Sequence, residues 1–174
     1  MVLAPALSDF SSASLSIRVR CEQPLKYITR QLYQAMQTLD QSGDLDRRWK
    51  FACESYRKEL ERDRNLLPPS MQKFSDMTFH DGVIKSAELA TNGDLQLQID
   101  ASRNPWGPRG IFELRFAGVV TIEGLDAIIG DEWLYEEVYA HPAGFDYRVL
   151  LFRSELRVVA ASVDLSPAGQ GPSR

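Results

Sequence analysis

Cysteine and histidine are scarce here, with two of each in 174 residues. Cys21 and Cys53 stand far apart and no Cys-x-x-Cys occurs, so neither a disulfide framework nor a zinc knuckle can be assembled. Glycine-rich phosphate loops are missing too: the glycines at 107 and 110 carry no Gly-Lys-Ser/Thr and open no helical pattern. No Gly-x-Ser-x-Gly is found. No cofactor and no metal is expected from this inventory. Nor is there a run of about twenty uncharged apolar residues, the length a spanning helix requires. The first cation, Arg18, follows a weakly apolar start instead of preceding it, the reverse of a secretory signal, and the cytoplasm is the expected compartment.

What is present suits one globular domain. Apolar residues make up 44 % of the chain, enough to bury a core, and 20 cations against 24 anions leave a net charge of -4. From Thr29, a plausible N-cap, Leu32, Tyr33, Met36 and Leu39 share one helical face. After Ser42-Gly43-Asp44 a second stripe follows, Leu45, Trp49, Ala52, Cys53, Tyr56 and Leu60, and Pro68-Pro69 ends it. Two such helices joined by a short loop predict an antiparallel helical hairpin. Cys53, on the apolar stripe, reads as a small buried hydrophobe.

Beyond Phe79 the period becomes two. Val83, Ala87 and Leu89, then Asn92-Gly93-Asp94, then Leu95, Leu97 and Ile99 predict a hairpin. A breaker-rich loop, Asn104 to Gly110, precedes a strand from Ile111 to Ile122. Trp133–Tyr139 and Phe145–Phe152 flank His141-Pro142-Ala143-Gly144, and Leu156–Val163 closes the series. The expected fold is α+β: an N-terminal helical hairpin followed by a mainly antiparallel sheet of about six strands, or a flattened sandwich of them. The expected organisation is a poorly ordered extension at 1–24, the helical hairpin at 25–69, the β domain at 70–165 and a flexible tail at 166–174.

Charge is unevenly spread. Residues 1–64 hold 11 cations and 9 anions, whereas residues 65–174 hold 9 and 15. Between Phe116 and Tyr147 there is no Lys or Arg, while Glu123, Asp126, Asp131, Glu132, Glu136, Glu137 and Asp146 supply seven carboxylates among Trp133, Tyr135, Tyr139 and other aromatics. One reading is a solvated acidic face. The sharper one is a face for a cationic protein partner, steered by carboxylates and anchored by aromatics. That reading makes Glu123, Asp126, Asp131, Glu132, Trp133, Tyr135, Glu136, Glu137 and Tyr139 the partner-binding set. Hard-cation binding needs clustered oxygens as well, but the spacing lacks the alternate ligands and central glycine of a calcium loop.

His80-Asp81 is the pair to test for catalysis, with His141 as a third member of a small hydrolase or metal-dependent site. Neighbours on a strand point to opposite faces, so His80 and Asp81 cooperate only across a turn. The basic residues of the second helix are interspersed with Asp44, Asp46, Glu54, Glu59, Glu61 and Asp63, which argues against a nucleic-acid partner.

Lys26-Tyr27-Ile28-Thr29-Arg30, continuing to Tyr33-Gln34-Ala35-Met36-Gln37, resembles the opening of a small bacterial family catalogued as a domain of unknown function. Phe79-His80-Asp81-Gly82, Asp94-Leu95, Phe112 to Phe116 and Trp133-Leu134-Tyr135-Glu136-Glu137 are similar to the later sheet of that family, giving coverage over about residues 25–165. The resemblance implies a bacterial cytoplasmic protein and carries no activity with it. More distantly, the pattern resembles immunity proteins of bacterial toxin systems. The function expected is therefore a non-enzymatic binding protein that neutralises a cationic toxin domain, with the His80/Asp81/His141 enzyme as the alternative. An exposed helix stripe or uncovered edge strand would favour self-association.

Overall fold

The computed structural model describes residues 16–18, 25–38 and 43–169. Cys21, Leu39, Ser42, most of the expected extension at 1–24 and the end of the expected tail at 170–174 lie outside the described residues. Helices come first: α1 (Arg30–Met36), α2 (Asp44–Asp63), a 3-10 turn at Arg64–Leu66 and α3 (Pro69–Phe74). Thr29 caps α1 as its sequence suggests, its hydroxyl accepting from the Leu32 amide at 3.2 Å. Pro69 is the first residue of α3, where a missing amide proton costs nothing, so Pro68-Pro69 starts a helix as well as following one.

Nine strands are formed among the described residues: β1 (Ser16–Arg18), β2 (Val83–Leu89), β3 (Leu95–Asp100), β4 (Ile111–Ala117), β5 (Thr121–Glu123), β6 (Trp133–His141), β7 (Gly144–Leu151), β8 (Glu155–Ala160) and β9 (Ser162–Pro167). They make two sheets, ordered β1-β5-β8-β7-β6 and β2-β3-β4-β9. All pairings are antiparallel except β1 with β5. The expected sheet of about six strands is thus corrected to two sheets with more strands, the sandwich being the form taken. Two expected strands, 111–122 and 156–163, each break in the middle, at Gly118 and Ala161, where the chain leaves one sheet for the other.

One core lies between the sheets. Ile84, Leu95, Leu97, Ile99, Leu114 and Phe116 from the four-stranded sheet meet Ile122, Trp133, Phe145, Tyr147, Val149 and Val158 from the five-stranded one, and Met71 and Phe74 of α3 join them. A smaller cluster, Leu25, Ile28, Leu134 and Leu150, packs with Tyr33, Trp49, Cys53 and Tyr135. α1 and α2 therefore turn Tyr33, Trp49 and Cys53 toward β6, and the expected hairpin is corrected accordingly. Tyr33 of α1 and Trp49 of α2 both contact Tyr135, at ring separations of 6.2 and 5.0 Å. Tyr56 also gives its hydroxyl oxygen to the Val138 amide on edge strand β6, which blunts that edge. Among the described residues, no helix is long and apolar enough to cross a membrane.

Candidate functional site

The acidic stretch is largely internal. Glu123, Asp131, Glu137 and Asp146 are buried, and so are Trp133 and Tyr147. Each carboxylate has a structural partner drawn from outside the cation-free stretch. Arg157 donates to Glu123 at 2.9 Å and to both oxygens of Asp146 at 2.9 and 3.0 Å. Asp131 accepts from the Arg153 amide at 3.1 Å and from the Ser154 hydroxyl at 2.7 Å. Glu137 gathers three consecutive amides, Lys26 at 2.6 Å, Tyr27 at 2.9 Å and Ile28 at 2.7 Å, and accepts from the Tyr139 hydroxyl as well. That carboxylate fastens the entry to α1 onto the sheet.

A bulge in β6 divides the remainder of the expected face. The register shifts between Trp133 and Tyr135, so that consecutive residues Leu134 and Tyr135 both join the helix-side cluster while Trp133 stays in the sandwich. Glu136 points inward with Trp133, whose indole donates to it at 2.6 Å, and the Thr78 hydroxyl reaches it at 3.5 Å. Desolvation pushes the Glu136 carboxyl up to about 7, against these two hydrogen bonds. Asp126 is exposed and Glu132 partly so, with Arg103 3.4 Å from the Glu132 carboxylate. Of the nine residues expected to bind a partner, Asp126 and Glu132 thus keep their carboxylates at the surface, and Tyr135 and Tyr139 pack against the helices and are partly covered.

His80 and Asp81 do meet across a turn. Asp81 adopts a left-handed backbone with φ 62°, and its amide donates to the Trp133 carbonyl at 2.9 Å. A non-glycine residue held in that region costs on the order of 1–2 kcal/mol. The carboxylate nonetheless lies 3.9 Å from His80 Nε2, too far for the hydrogen bond that would orient a base. His80 Nδ1 is buried with no hydrogen-bond partner among the described residues. His141 is removed from this pair: it lies six residues beyond Tyr135 on β6, about 20 Å of strand. Its Nδ1 accepts the Ala143 amide in the β6–β7 turn. Among the described residues no three His, Cys, Asp or Glu side chains gather as a metal would need.

What His80 does instead is stack. Its ring lies 4.4 Å from the Trp106 indole at an interplanar angle of 10°, and 5.1 Å from the Tyr135 ring at 34°. The column Trp106, His80, Tyr135 and Trp49 runs from an exposed indole into the helical layer. Burial holds the His80 imidazole below its ordinary value despite the pull of Asp81 and Glu132, so the stacked ring is neutral near pH 7. Burial likewise raises the Tyr33 phenol, and Glu132 and Asp81 push it further.

Asn104 presents Trp106. Wholly buried, it donates to the Thr78 carbonyl at 2.6 Å and accepts from the amides of Trp106 and Gly107 at 3.0 and 3.1 Å. Gly107 sits so close that an added Cβ would lie 2.3 Å from the Thr78 oxygen. The loop is thereby pinned to the His80 turn.

A family model described as a protein of unknown function, DUF4085, matches residues 24–160. The chain belongs to the DUF4085 family. No curated protein and no solved structure matches it. The family match runs from the segment held by Glu137 to the end of β8, so in this DUF4085 chain it takes in α1, α2, the His80 turn and the Trp106 loop. It meets the expectation of a family without an assigned activity. Asn104 and Arg157 were not among the residues singled out in the sequence; the breaker-rich composition of 104–110 signals a loop but not the buried amide that organises it.

Proposed function

We propose that the protein is a non-enzymatic protein-binding protein whose partner docks on the end of the sandwich that displays Trp106. The observation carrying this reading is the state of that indole, 67 % exposed yet already ordered by His80 and by the Asn104 loop. An exposed tryptophan is a typical binding anchor, and one held in place loses little entropy on association. Two more uncovered apolar side chains, Phe152 and Ile129, belong to the same end. The Phe152 amide donates to the Glu132 carbonyl at 2.8 Å, Arg153 holds the Gly130 carbonyl at 3.0 Å, and Arg103 reaches the Glu132 carboxylate from the Trp106 side.

Asp81, Asp126 and Glu132 supply the acidic component at the surface, which suits a basic partner. Neutralisation of a basic toxin domain is the specific form of this function. The test is a photo-crosslinking residue placed at Trp106 in the native cell, with Glu88 on β2 as the control position. A discrete adduct at Trp106 only, followed by at least tenfold weaker binding of the purified partner to Trp106→Ala, supports the proposal. Equal crosslinking at both positions, or unaltered affinity of Trp106→Ala, overturns it.

A further inference from the structure

A cleft of about 420 Å³ opens between residues 27–32 and the first turns of α2, walled by Tyr27, Gln31 and Leu32 on one side and by Arg47, Arg48 and Phe51 on the other. It is separate from the His80 turn and its volume falls within the range of small-molecule sites. Its composition is specific. Phe51 is 73 % exposed on a helix whose Trp49 and Cys53 pack toward the sheet, so its ring is a platform the core does not use. Arg47 lies 3.3 Å from Asp44 on its own helix, whereas Arg48 has no carboxylate within ion-pair distance among the described residues. Gln31 brings a side-chain amide to the same space, and Leu32, which is buried, forms an apolar floor.

A guanidinium with no carboxylate partner among the described residues, beside an uncovered aromatic ring, complements a ligand with one anionic group on a flat apolar body. The Glu59 carboxylate does not compete, since it is engaged by Lys26 at 2.7 Å and by the Tyr27 hydroxyl. We infer that this cleft binds a small aromatic anion, a carboxylate, sulfonate or phosphate carried on a ring system, with Arg48 meeting the charge, Phe51 stacking on the ring and Gln31 hydrogen-bonding its edge. The site is independent of the Trp106 face and stands or falls separately from it.

The experiment uses the full chain and 8-anilinonaphthalene-1-sulfonate as probe, with uncharged N-phenyl-1-naphthylamine for comparison. Fluorescence titration should reveal one saturable sulfonate site, weakened at least tenfold by Arg48→Glu and at least threefold by Phe51→Ser. Both substitutions lie on an exposed helix face, and circular dichroism checks that the helix persists. Amide shifts on adding the sulfonate should centre on Gln31, Arg48 and Phe51. The inference is overturned if Arg48→Glu leaves the affinity within twofold, if the uncharged probe binds as tightly, or if the shifted amides surround Trp106 or lie elsewhere.

Discussion

Gly118 and Ala161 touch at the point where the chain passes twice between the sheets. β4 leads through Gly118 to β5 in the other sheet, and β8 returns through Ala161 to β9. A Cβ built on Gly118 would lie 2.9 Å from the Ala161 Cβ, and the Ala161 amide donates to the Ala117 carbonyl at 3.0 Å. Asp94 locks the same corner to the β2–β3 turn, accepting from the Gly118 amide at 3.3 Å and from Arg115 at 2.6 Å.

Gly118→Ala should therefore destabilise the whole sandwich. The backbone holds φ 63°, where a side chain costs about 1–2 kcal/mol, and the close approach to Ala161 adds crowding. We expect a loss of about 2–3 kcal/mol in urea unfolding, together with a lowered melting temperature. A change below about 0.5 kcal/mol, the scale of ordinary surface substitutions, would refute the corner's structural role.

Glu137→Gln should loosen the segment that opens the family match. Glutamine keeps one acceptor oxygen and replaces the other with an NH2 donor, so at least one of the three amides loses its acceptor beneath α1. Loss of a charge-assisted acceptor of this kind costs about 2–4 kcal/mol. Amide exchange at Lys26, Tyr27 and Ile28 should accelerate more than exchange in β7. Uniform acceleration throughout the chain would contradict a local clamp.

Much of the strand layout is legible because turn chemistry and period-two alternation are local properties. Asn92-Gly93 does turn β2 into β3, with Gly93 at φ 84° and the Asn92 side chain accepting from the Asp94 amide at 3.2 Å. The sheet crossings are not legible, since Gly118 and Ala161 interrupt apolar runs only mildly and their meaning lies in a contact 43 residues apart in sequence. The acidic stretch misleads for a related reason. Its counter-charges, Arg148, Arg153 and Arg157, come on neighbouring strand β7, the following turn and β8, so local charge counting cannot see the neutralisation. Strict alternation would also put Trp133, Tyr135, Glu137 and Tyr139 on one face, and the bulge after Trp133 separates the first from the rest. His80-Asp81 was visible as a pair, but its stacking partner Trp106 required the Asn104 loop to be folded.

Arg157 tests how far buried neutralisation carries the fold. Its guanidinium spans Glu123 and Asp146 in a geometry that a single ammonium cannot reproduce, and all three side chains are largely shielded from water. Arg157→Met removes the forked donor from two buried carboxylates at once, Asp146 keeping Arg148 at 2.8 Å, with an expected loss of about 2–3 kcal/mol. Arg157→Lys should recover less than half of it. Full recovery by lysine would mean that charge alone, and not the forked donor, holds β5, β7 and β8 together.

Glu136 makes stability depend on pH in a window of its own. Its folded carboxyl titrates at about 7 because burial disfavours the charge, against an ordinary value of 4.5. Between those values the folded chain keeps a proton that the unfolded chain has released, so this group's contribution is fully present below about pH 4.5 and is lost as pH rises through 7. Other groups run the opposite way. Asp94, held low chiefly by Arg115, and Asp146, held low by Arg157 and Arg148 in spite of burial, contribute stability that is lost as pH falls through their lowered values. His80, lowered by burial, favours folding above its ordinary value of 6.5. The parent's own profile mixes these terms, and the difference between the parent and Glu136→Gln isolates one. Glutamine can still accept from the Trp133 indole without carrying charge, so Glu136→Gln should be more stable than the parent by about 1–3 kcal/mol at pH 8 and should show no advantage near pH 4.5. Urea unfolding at the two pH values measures this, and an advantage independent of pH would show that packing, not the buried charge, sets the difference.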